Sequence, residues 1–481
     1  LESLPQPERP PHRKALNMLN HRKAALTRRR LLARVAGLTA IGPVFNFTQG
    51  AQQAKPAARV NRYSVPSNLR ITDMRSVLIA SNFDYPIIRI DTNQGVYGLG
   101  EVRDAGREGT ALVLKPHLVG RNPLSIEPIL DSIRNFANHQ RMGGGYSAVD
   151  MALHDIAGKV YGVPAWRLIG SKYRDRIRIY CDTTESRDPK VYAERFKQRK
   201  AQGFTFFKMD LGTQLVANRP GAVSDLGVAT EKGLEYLCEY IQAVRDAIGW
   251  EAPLGADHFG RLTVNDSIRY ARAFEKYNLA WAEDMIQVGH LGPGGDAPKD
   301  WRGYKELKEA TTTPIATGES LFGLEEGFKD FIDNRALDIV HPDPLTSGGI
   351  RETKRIADYA SLHGIQTAIH FAGSPVGCMA CVHMAATFKD MLSMENHAVD
   401  IPWWGDLVTG PTKPIVNQGY ITVPDTPGLG VELNEAVVKE HIRKGGYFEP
   451  TPQYDDFILD RFRRGGPYPH LDEHGKLVVK D

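Results

Sequence analysis

Three acidic residues in the middle of the chain have a type and spacing that suggest chemistry. Asp257, Glu283 and Glu319 each follow a short apolar run, and they are 26 and 36 residues apart. A strand, a loop and a helix that returns to the next parallel strand take about 30 residues. The spacing therefore predicts that the three carboxylates lie at the C-terminal ends of three consecutive parallel strands and face one cleft.

Three carboxylates in one dry cleft repel one another unless a cation lies between them. Oxygen ligands of this kind suit a hard cation. Acidic residues are also common after strands, as helix caps or loop residues. From the spacing alone, a metal site and a chance arrangement of acidic residues are equally compatible with the sequence. Other residues of the chain are needed to decide between them.

The composition is that of a soluble globular protein. The chain has 481 residues, of which 42% are hydrophobic and 24% are charged, and this length predicts two domains plus tails. The net charge of +3 gives no reason to expect nucleic acid as a partner. The four cysteines are too few for a disulfide scaffold, and Cys378 and Cys381 are expected to be buried thiols of one helix.

Residues 1–65 are predicted to be a leader rather than part of the fold. The segment Thr27–Leu32 places paired arginines at the start of a modestly apolar run that extends to Phe47. This arrangement resembles a twin-arginine export signal and predicts a periplasmic protein. Arg34 interrupts the apolar run, and a disordered basic tail on a cytoplasmic protein is the alternative. The run is too short and too polar to be a stable membrane anchor.

Three further segments are expected after the leader. Residues 66–172 alternate like a hairpin and then like helices, which predicts a small α+β domain. Residues 173–400 alternate eight short apolar runs with helical patterns, which predicts an α/β fold with a closed parallel barrel. Residues 401–481 are predicted to pack back on the small domain.

Polar side chains end four other predicted barrel strands. Lys208 and Asp210 end the second strand, Asp343 the sixth, His370 the seventh and Glu395 the eighth. Each has an ordinary alternative reading, as a turn, loop or solvated residue. Barrel sites lie at the C-terminal ends of the strands, so we expect these residues to meet the three acids there.

This set of strand ends resembles the enolase superfamily, and within it the mandelate racemase-like branch. The segments Ser147–Gly170 and Pro427–Val431 are similar to two signatures of that branch, and the resemblance covers about residues 70–440. It implies a (β/α)7β-type TIM barrel with an N-terminal α+β capping domain that the C-terminal segment completes.

The resemblance also implies a metal centre. Asp257, Glu283 and Glu319 would bind one Mg²⁺, which in turn takes the carboxylate of the substrate. The reaction would begin with removal of the proton α to that carboxylate. The metal and a nearby cation would stabilise the resulting enediolate.

Four residues receive catalytic roles from the resemblance. His370 would be the general base, and Asp343 would bind it to fix its tautomer and raise its basicity. Glu395 would hydrogen-bond the substrate carboxylate on the side away from the metal. Lys208 would add positive charge beside that carboxylate.

Asp210 departs from the pattern of the branch, which has a second lysine there as the base on the opposite face. An ordinary aspartate has a pKa of about 3.9 and an ordinary lysine about 10.4, so Asp210 is a poor substitute. We therefore predict chemistry from one face: His370 abstracts the proton and a β-hydroxyl leaves as water. This is the reaction of an acid-sugar dehydratase, a hydro-lyase that gives a 2-keto-3-deoxy acid.

The departing hydroxyl needs a proton, and His258 is the candidate acid because it follows Asp257 directly. Strand alternation would turn His258 away from the pocket unless the strand has already ended. The alternative is that His258 lies behind the site and that His370 returns the proton to the leaving hydroxyl.

The substrate is expected to be a small carboxylate, a sugar acid, bound in part by loops of the small domain. Asn138, His139 and Arg141 are the candidate substrate-binding residues there, besides Lys208 and Glu395. A homo-oligomer is expected. The alternatives are a cycloisomerase or lyase, a racemase or epimerase, and an inactive sugar-acid-binding protein. No residue identifies the sugar.

Overall fold

In the computed structural model, the described residues are 68–104, 106–136, 144–259, 262–286 and 300–455, with two short strands at 470–471 and 477–478. These residues belong to one compact unit, Val60–Asp481. The predicted export signal lies outside the described residues. So do Asn138, His139 and Arg141.

Strands and helices follow the predicted order. The strands are β1 (Ile71–Ile79), β2 (Tyr85–Thr92), β3 (Tyr97–Glu101), β4 (Arg176–Cys181), β5 (Phe206–Asp210), β6 (Leu254–Asp257), β7 (Trp281–Glu283), β8 (Ile315–Thr317), β9 (Ile339–Val340), β10 (Gln366–Ile369), β11 (Met391–Asn396), β12 (Val408–Thr409), β13 (Tyr420–Thr422), β14 (Glu432–Leu433), β15 (Ile442–Lys444), β16 (His470–Leu471) and β17 (Leu477–Val478). The helices are α1 (Gly109–Leu112), α2 (Ile126–Ile133), α3 (Gly145–Tyr161), α4 (Trp166–Ile169), α5 (Pro189–Ala201), α6 (Glu231–Ile248), α7 (Val264–Phe274), α8 (Trp301–Glu309), α9 (Lys329–Asp333), α10 (Gly349–Leu362), α11 (Pro375–Ala386) and α12 (Glu435–Glu440).

The capping domain is an antiparallel sheet with α3 packed on it. Strands β1, β2 and β3 pair in chain order, and the predicted hairpin joins β2 to β3. The sheet and α3 approach closely at Gly100, where a Cβ atom would lie 1.9 Å from the carbonyl oxygen of Ala148. Only glycine fits at that point, and the close contact fixes the helix across the strands.

The barrel is closed, as predicted. Strands β4 to β11 are parallel neighbours in chain order, and β11 pairs with β4 to complete the ring. The lower interior is filled by a separate cluster of buried side chains, Tyr180, Phe206, Trp281, Ala316, Ile339 and Ala368. The barrel is therefore a packed core, and its polar residues lie above this layer at the C-terminal ends of the strands.

The C-terminal segment returns to both domains, which confirms the predicted completion of the cap. Strand β13 adds antiparallel to β4 at the barrel, and β15 adds antiparallel to β1 in the cap sheet. The four cysteines are free and buried, as expected for Cys378 and Cys381. No helix among the described residues is long and apolar enough to cross a membrane.

Side chains of the cap bind the first turns of two barrel helices. Ser147 Oγ accepts a hydrogen bond from the amide of Gly348 just before α10 (3.1 Å). Glu101, at the end of β3, accepts from the amides of Ser374 (2.7 Å) and Gly377 (2.9 Å) at the start of α11. These orphan amides at helix starts therefore receive their partners from the other domain.

Candidate active site

The three acids of the predicted metal site lie at the C-terminal ends of neighbouring strands. Asp257 and Glu283 are the last residues of β6 and β7, and Glu319 follows the end of β8 by two residues. All three are buried. Lys208 Nζ lies 3.0 Å from Asp257 Oδ2 and 3.7 Å from Glu283 Oε1, so side chains of three strands converge here.

Asp284, next to Glu283, shows how much negative charge this end of the barrel carries. Its carboxylate accepts a hydrogen bond from Thr317 Oγ1 (2.5 Å). Burial, and then the charges of the three acids, raise the pKa of Asp284 to about 7. A group of mutually repelling carboxylates fits a divalent cation that prefers hard oxygen ligands.

A different group of described residues, and not the three acids, has ligand atoms close enough together to hold a metal ion. Ligand atoms of His370, Glu395 and His397 all lie within 4.8 Å of one another. This group has a single negative charge, and Glu395 Oε1 already pairs with Lys208 Nζ at 2.7 Å. The three acids offer more negative charge and harder ligands, so they fit Mg²⁺ better than this group does.

An Asp–His pair faces the acids from β9 and β10. His370 Nδ1 lies 2.7 Å from Asp343 Oδ2, and His370 Nε2 lies 3.0 Å from Glu319 Oε2. Burial lowers the pKa of His370, but the charges of Glu319 and Glu395 outweigh burial and raise it to about 10. The contact through Nδ1 fixes the ring and directs Nε2 into the pocket.

Arg103 reaches this pair from the capping domain, two residues after β3. Its Nη1 lies 2.9 Å from Asp343 Oδ2 and donates to the backbone carbonyl of Glu319 at 2.7 Å. The side chain is completely buried, and its Nε pairs with Asp104 Oδ1 at 2.6 Å. Arg103 was not predicted from the sequence, because its contacts depend on how the cap packs on the barrel.

Lys208 and Glu395 form a buried ion pair, and His397 joins it. His397 Nε2 lies 3.1 Å from the same Glu395 oxygen that pairs with Lys208. Burial opposes ionisation, but Lys208 and His397 hold the pKa of Glu395 well below its usual range. Glu395 Oε2 is directed toward His370 Nε2, 3.7 Å away.

His341 supports Glu283 from below and was also not identified from the sequence. Its Nδ1 lies 2.9 Å from Glu283 Oε1, and its Nε2 lies 2.7 Å from the hydroxyl of Tyr180. Trp281 Nε1 donates to the other oxygen of Glu283 at 2.9 Å. His341 stands two residues before Asp343, and strand alternation could have placed both on the inward side.

Asp210 and His258 form a pair on the other side of the pocket. The register of β5 and β6 sets Asp210 beside Asp257. His258 has a left-handed backbone (φ 57°), which turns its side chain back so that Nδ1 lies 2.8 Å from Asp210 Oδ1. The charge of Asp257 and the bond to Asp210 raise the pKa of His258 to about 11. The strand has thus ended before His258, which satisfies the condition for it to face the pocket.

A closed parallel barrel with an α+β cap, three acids on consecutive strands and an Asp–His pair on later strands defines a capped TIM-barrel enzyme with acid/base groups at its mouth. Residues 59–170 match the mandelate racemase/muconate lactonizing enzyme N-terminal domain, and residues 191–437 match the enolase C-terminal domain-like family. The chain belongs to the enolase superfamily, in its mandelate racemase-like, acid-sugar dehydratase branch. The predicted family, fold and class of enzyme are therefore confirmed.

Named relatives cover most of the chain. A D-xylonate dehydratase of Haloferax volcanii is 32% identical over 78% of this chain and 89% of its own length. A mandelate racemase/muconate lactonizing enzyme-like protein from Rubrobacter xylanophilus has a TM-score of 0.72 and 29% identity, covering 79% of this chain and all (100%) of its own. An enolase from Pantoea ananatis, solved with D-gluconate and Mg, has a TM-score of 0.67 and 28% identity, covering 79% and 96%.

Proposed function

We propose that the protein is a Mg²⁺-dependent dehydratase that converts a monocarboxylic sugar acid to a 2-keto-3-deoxy acid. The observation that carries the proposal is the Asp343–His370 pair (2.7 Å), which directs the free ring nitrogen of His370 toward the acid cluster. The D-xylonate dehydratase name of one relative and the D-gluconate and Mg of one structural neighbour support it.

Asp257, Glu283 and Glu319 would hold the Mg²⁺. When bound, the metal supplies positive charge to the substrate carboxylate and so acidifies the neighbouring C–H bond. Lys208, buried between Asp257 and Glu395, adds a fixed positive charge at the same place. This preorganised charge favours the enediolate over the carboxylate because negative charge grows there during proton removal.

His370 takes the α-proton through Nε2. Asp343 holds Nδ1, so the ring presents one defined nitrogen and the imidazolium that forms is stabilised by the carboxylate. The negative charge of Glu319 favours the protonated form of the His370 ring. A cation bound at Glu319 would remove this effect, so that the neutral ring could accept the α-proton.

The β-hydroxyl leaves with a proton from His258. The C–H bond at the α-carbon breaks first, the C=C bond of an enol forms as the β C–O bond breaks, and the enol becomes the 2-keto product. His258 is held at the pocket by Asp210, which occupies the position of the branch's second lysine. The Asp210–His258 pair supports elimination of water over inversion at the α-carbon.

Incubation of the protein with Mg²⁺ and a panel of sugar acids in D₂O tests the proposal. We expect a 2-keto-3-deoxy product and deuterium uptake, both lost in His370→Asn. Asp400→Asn, which alters an ion pair with Arg199 outside the pocket, is the matched control. A product of unchanged mass would indicate a cycloisomerase or racemase instead. Binding without exchange or product would indicate a sugar-acid-binding protein.

Export and self-association remain proposals that rest on the sequence. If the leader is a twin-arginine signal, replacing Arg28 and Arg29 with lysine should shift the protein from the periplasmic to the cytoplasmic fraction. Light scattering of the purified protein tests the expected homo-oligomer.

A further inference from the structure

Asp182 and His397 lie beside the catalytic residues and have no role in the mechanism above. Strands β4 and β11 close the barrel with Tyr180 opposite Glu395. Both of these side chains point inward, so the residues two positions later, Asp182 and His397, which directly follow the ends of the two strands, take the same side. The two side chains meet there, with His397 Nδ1 3.5 Å from Asp182 Oδ2.

One carboxylate oxygen of Asp182 accepts no hydrogen bond from the described residues. Its Oδ1 is buried, and no hydrogen-bond donor reaches it from the residues that the structure describes. Its other oxygen contacts His397. A buried carboxylate oxygen without a donor is unfavourable, and a hydroxyl group of a ligand would satisfy it.

The capping domain covers this pair with the loop between β1 and β2. Asn82 Nδ2 donates to the backbone carbonyl of His397 (3.3 Å), and the Phe83 ring meets the His397 ring edge-on at 5.6 Å. The rings of His397 and His370 are 5.9 Å apart between centroids. The loop and the pair therefore lie next to His370.

We propose that Asp182 and His397 form a polyol subsite that binds hydroxyl groups of the substrate beyond its β-carbon. This inference rests on the proposed function, because it assumes that the carboxylate end of the substrate lies at Lys208 and Glu395. Asp182 accepts hydrogen bonds from hydroxyl groups, His397 is oriented by Asp182 and Glu395, and Phe83 covers the C–H face of the chain. The subsite selects polyhydroxy acids over hydroxy acids that end at the β-carbon.

Binding without turnover gives the cleanest test. In a His370→Asn background with Mg²⁺, calorimetry measures the affinity for five- and six-carbon aldonic acids and for glycerate, which ends at the β-carbon. We expect Asp182→Ala and His397→Gln each to weaken binding of the long acids about 10- to 100-fold, the range for hydrogen bonds to a charged group, and Asp182→Ala to leave glycerate binding unchanged. Asp400→Asn is the control, and unchanged Mg²⁺ affinity excludes damage to the metal site.

Turnover by the otherwise unmodified enzyme provides the second readout. In Asp182→Ala we expect KM to rise at least tenfold with kcat within a few-fold, and discrimination between epimers at C4 and C5 to decrease. Unchanged KM, or a large loss of kcat with KM preserved, overturns the subsite. If the unmodified protein turns over none of the acids but the binding difference holds, the dehydratase proposal fails and the subsite stands. His397→Gln keeps the test valid if Asp182→Ala does not fold.

Discussion

Arg103 of the capping domain shares one oxygen of Asp343 with His370: Arg103 Nη1 is 2.9 Å, and His370 Nδ1 2.7 Å, from Asp343 Oδ2. The orientation of a barrel side chain is thus set in part by another domain. The cap does more than cover the pocket, because it holds the carboxylate that orients the imidazole of His370.

Replacing Arg103 with methionine should therefore reduce kcat about 10- to 100-fold and change KM less, the range for groups that orient ligands from behind. Asp343 loses a partner and the position of His370 becomes less defined. Arg134→Met is the control, since Arg134 also joins cap to barrel, through Glu326 at 2.7 Å, but away from the site. Steady-state kinetics and melting curves of both variants check this. Equal losses of kcat in the two would show that Arg103 only holds the domains together.

His258→Gln should separate proton abstraction from loss of water. Without its acid, elimination should slow about 100-fold or more, the usual contribution of a general acid. His370 remains in place, so exchange of the α-proton with D₂O should continue. Mass spectrometry of recovered substrate and product measures both rates. If elimination is unaffected, His370 itself returns the proton to the leaving hydroxyl.

Magnesium binding should release a proton from His370. The charge of Glu319 helps to raise the pKa of His370 to about 10, so the ring is protonated below that pH when no cation is bound at Glu319. A cation on Glu319 removes this attraction and lowers the pKa, so Mg²⁺ should bind more tightly as pH rises toward 10. Calorimetry in two buffers with different ionisation enthalpies counts the protons at pH 8. Release that persists in His370→Asn would assign the proton to another group.

Glu101 should make stability decrease with rising pH. Burial raises the pKa of Glu101 from 4.5 to about 7, although the bonds from Ser374 and Gly377 oppose the shift. The folded protein therefore binds this proton more tightly than the unfolded chain does. Stability from this group is complete below about 4.5 and is lost as pH rises through 7, by on the order of 3 kcal/mol.

Glu101→Gln provides the comparison, because glutamine keeps the size of the side chain but does not ionise. Denaturant unfolding between pH 5 and pH 8 should show a smaller decrease in stability for this variant than for the unmodified protein. Identical pH profiles for the two proteins would exclude Glu101 as the group responsible.

The sequence predicted the barrel and the inward-facing strand-end residues because both depend on local periodicity. All eight predicted runs became the barrel strands β4 to β11. Lys208, Asp343 and His370 lie at the same end of the barrel because each is near the C-terminal end of a strand of one ring. Strand alternation could not decide on which side the His258 side chain lies, because its direction depends on a single left-handed backbone angle (φ 57°).

Arg103 and His397 were not predicted, for a different reason. Arg103 lies in a domain whose packing on the barrel has no local signal, and it meets Asp343 across 240 positions of the chain. His397 follows Glu395 by two residues, so alternation alone could have found it. Its partner Asp182 comes from the first barrel strand, and only closure of the ring brings the two together.

The pairing of β15 with β1 has a consequence for biosynthesis. The last two residues of the first strand, Leu78 and Ile79, pair with Lys444 and Ile442, so this part of the edge waits for more than 360 later residues to leave the ribosome before it is paired. Until then the nascent chain exposes an open β edge, a template for non-native association. Chaperone binding during translation is therefore expected at the capping segment first, and a ribosome stalled before codon 440 would leave that edge permanently exposed.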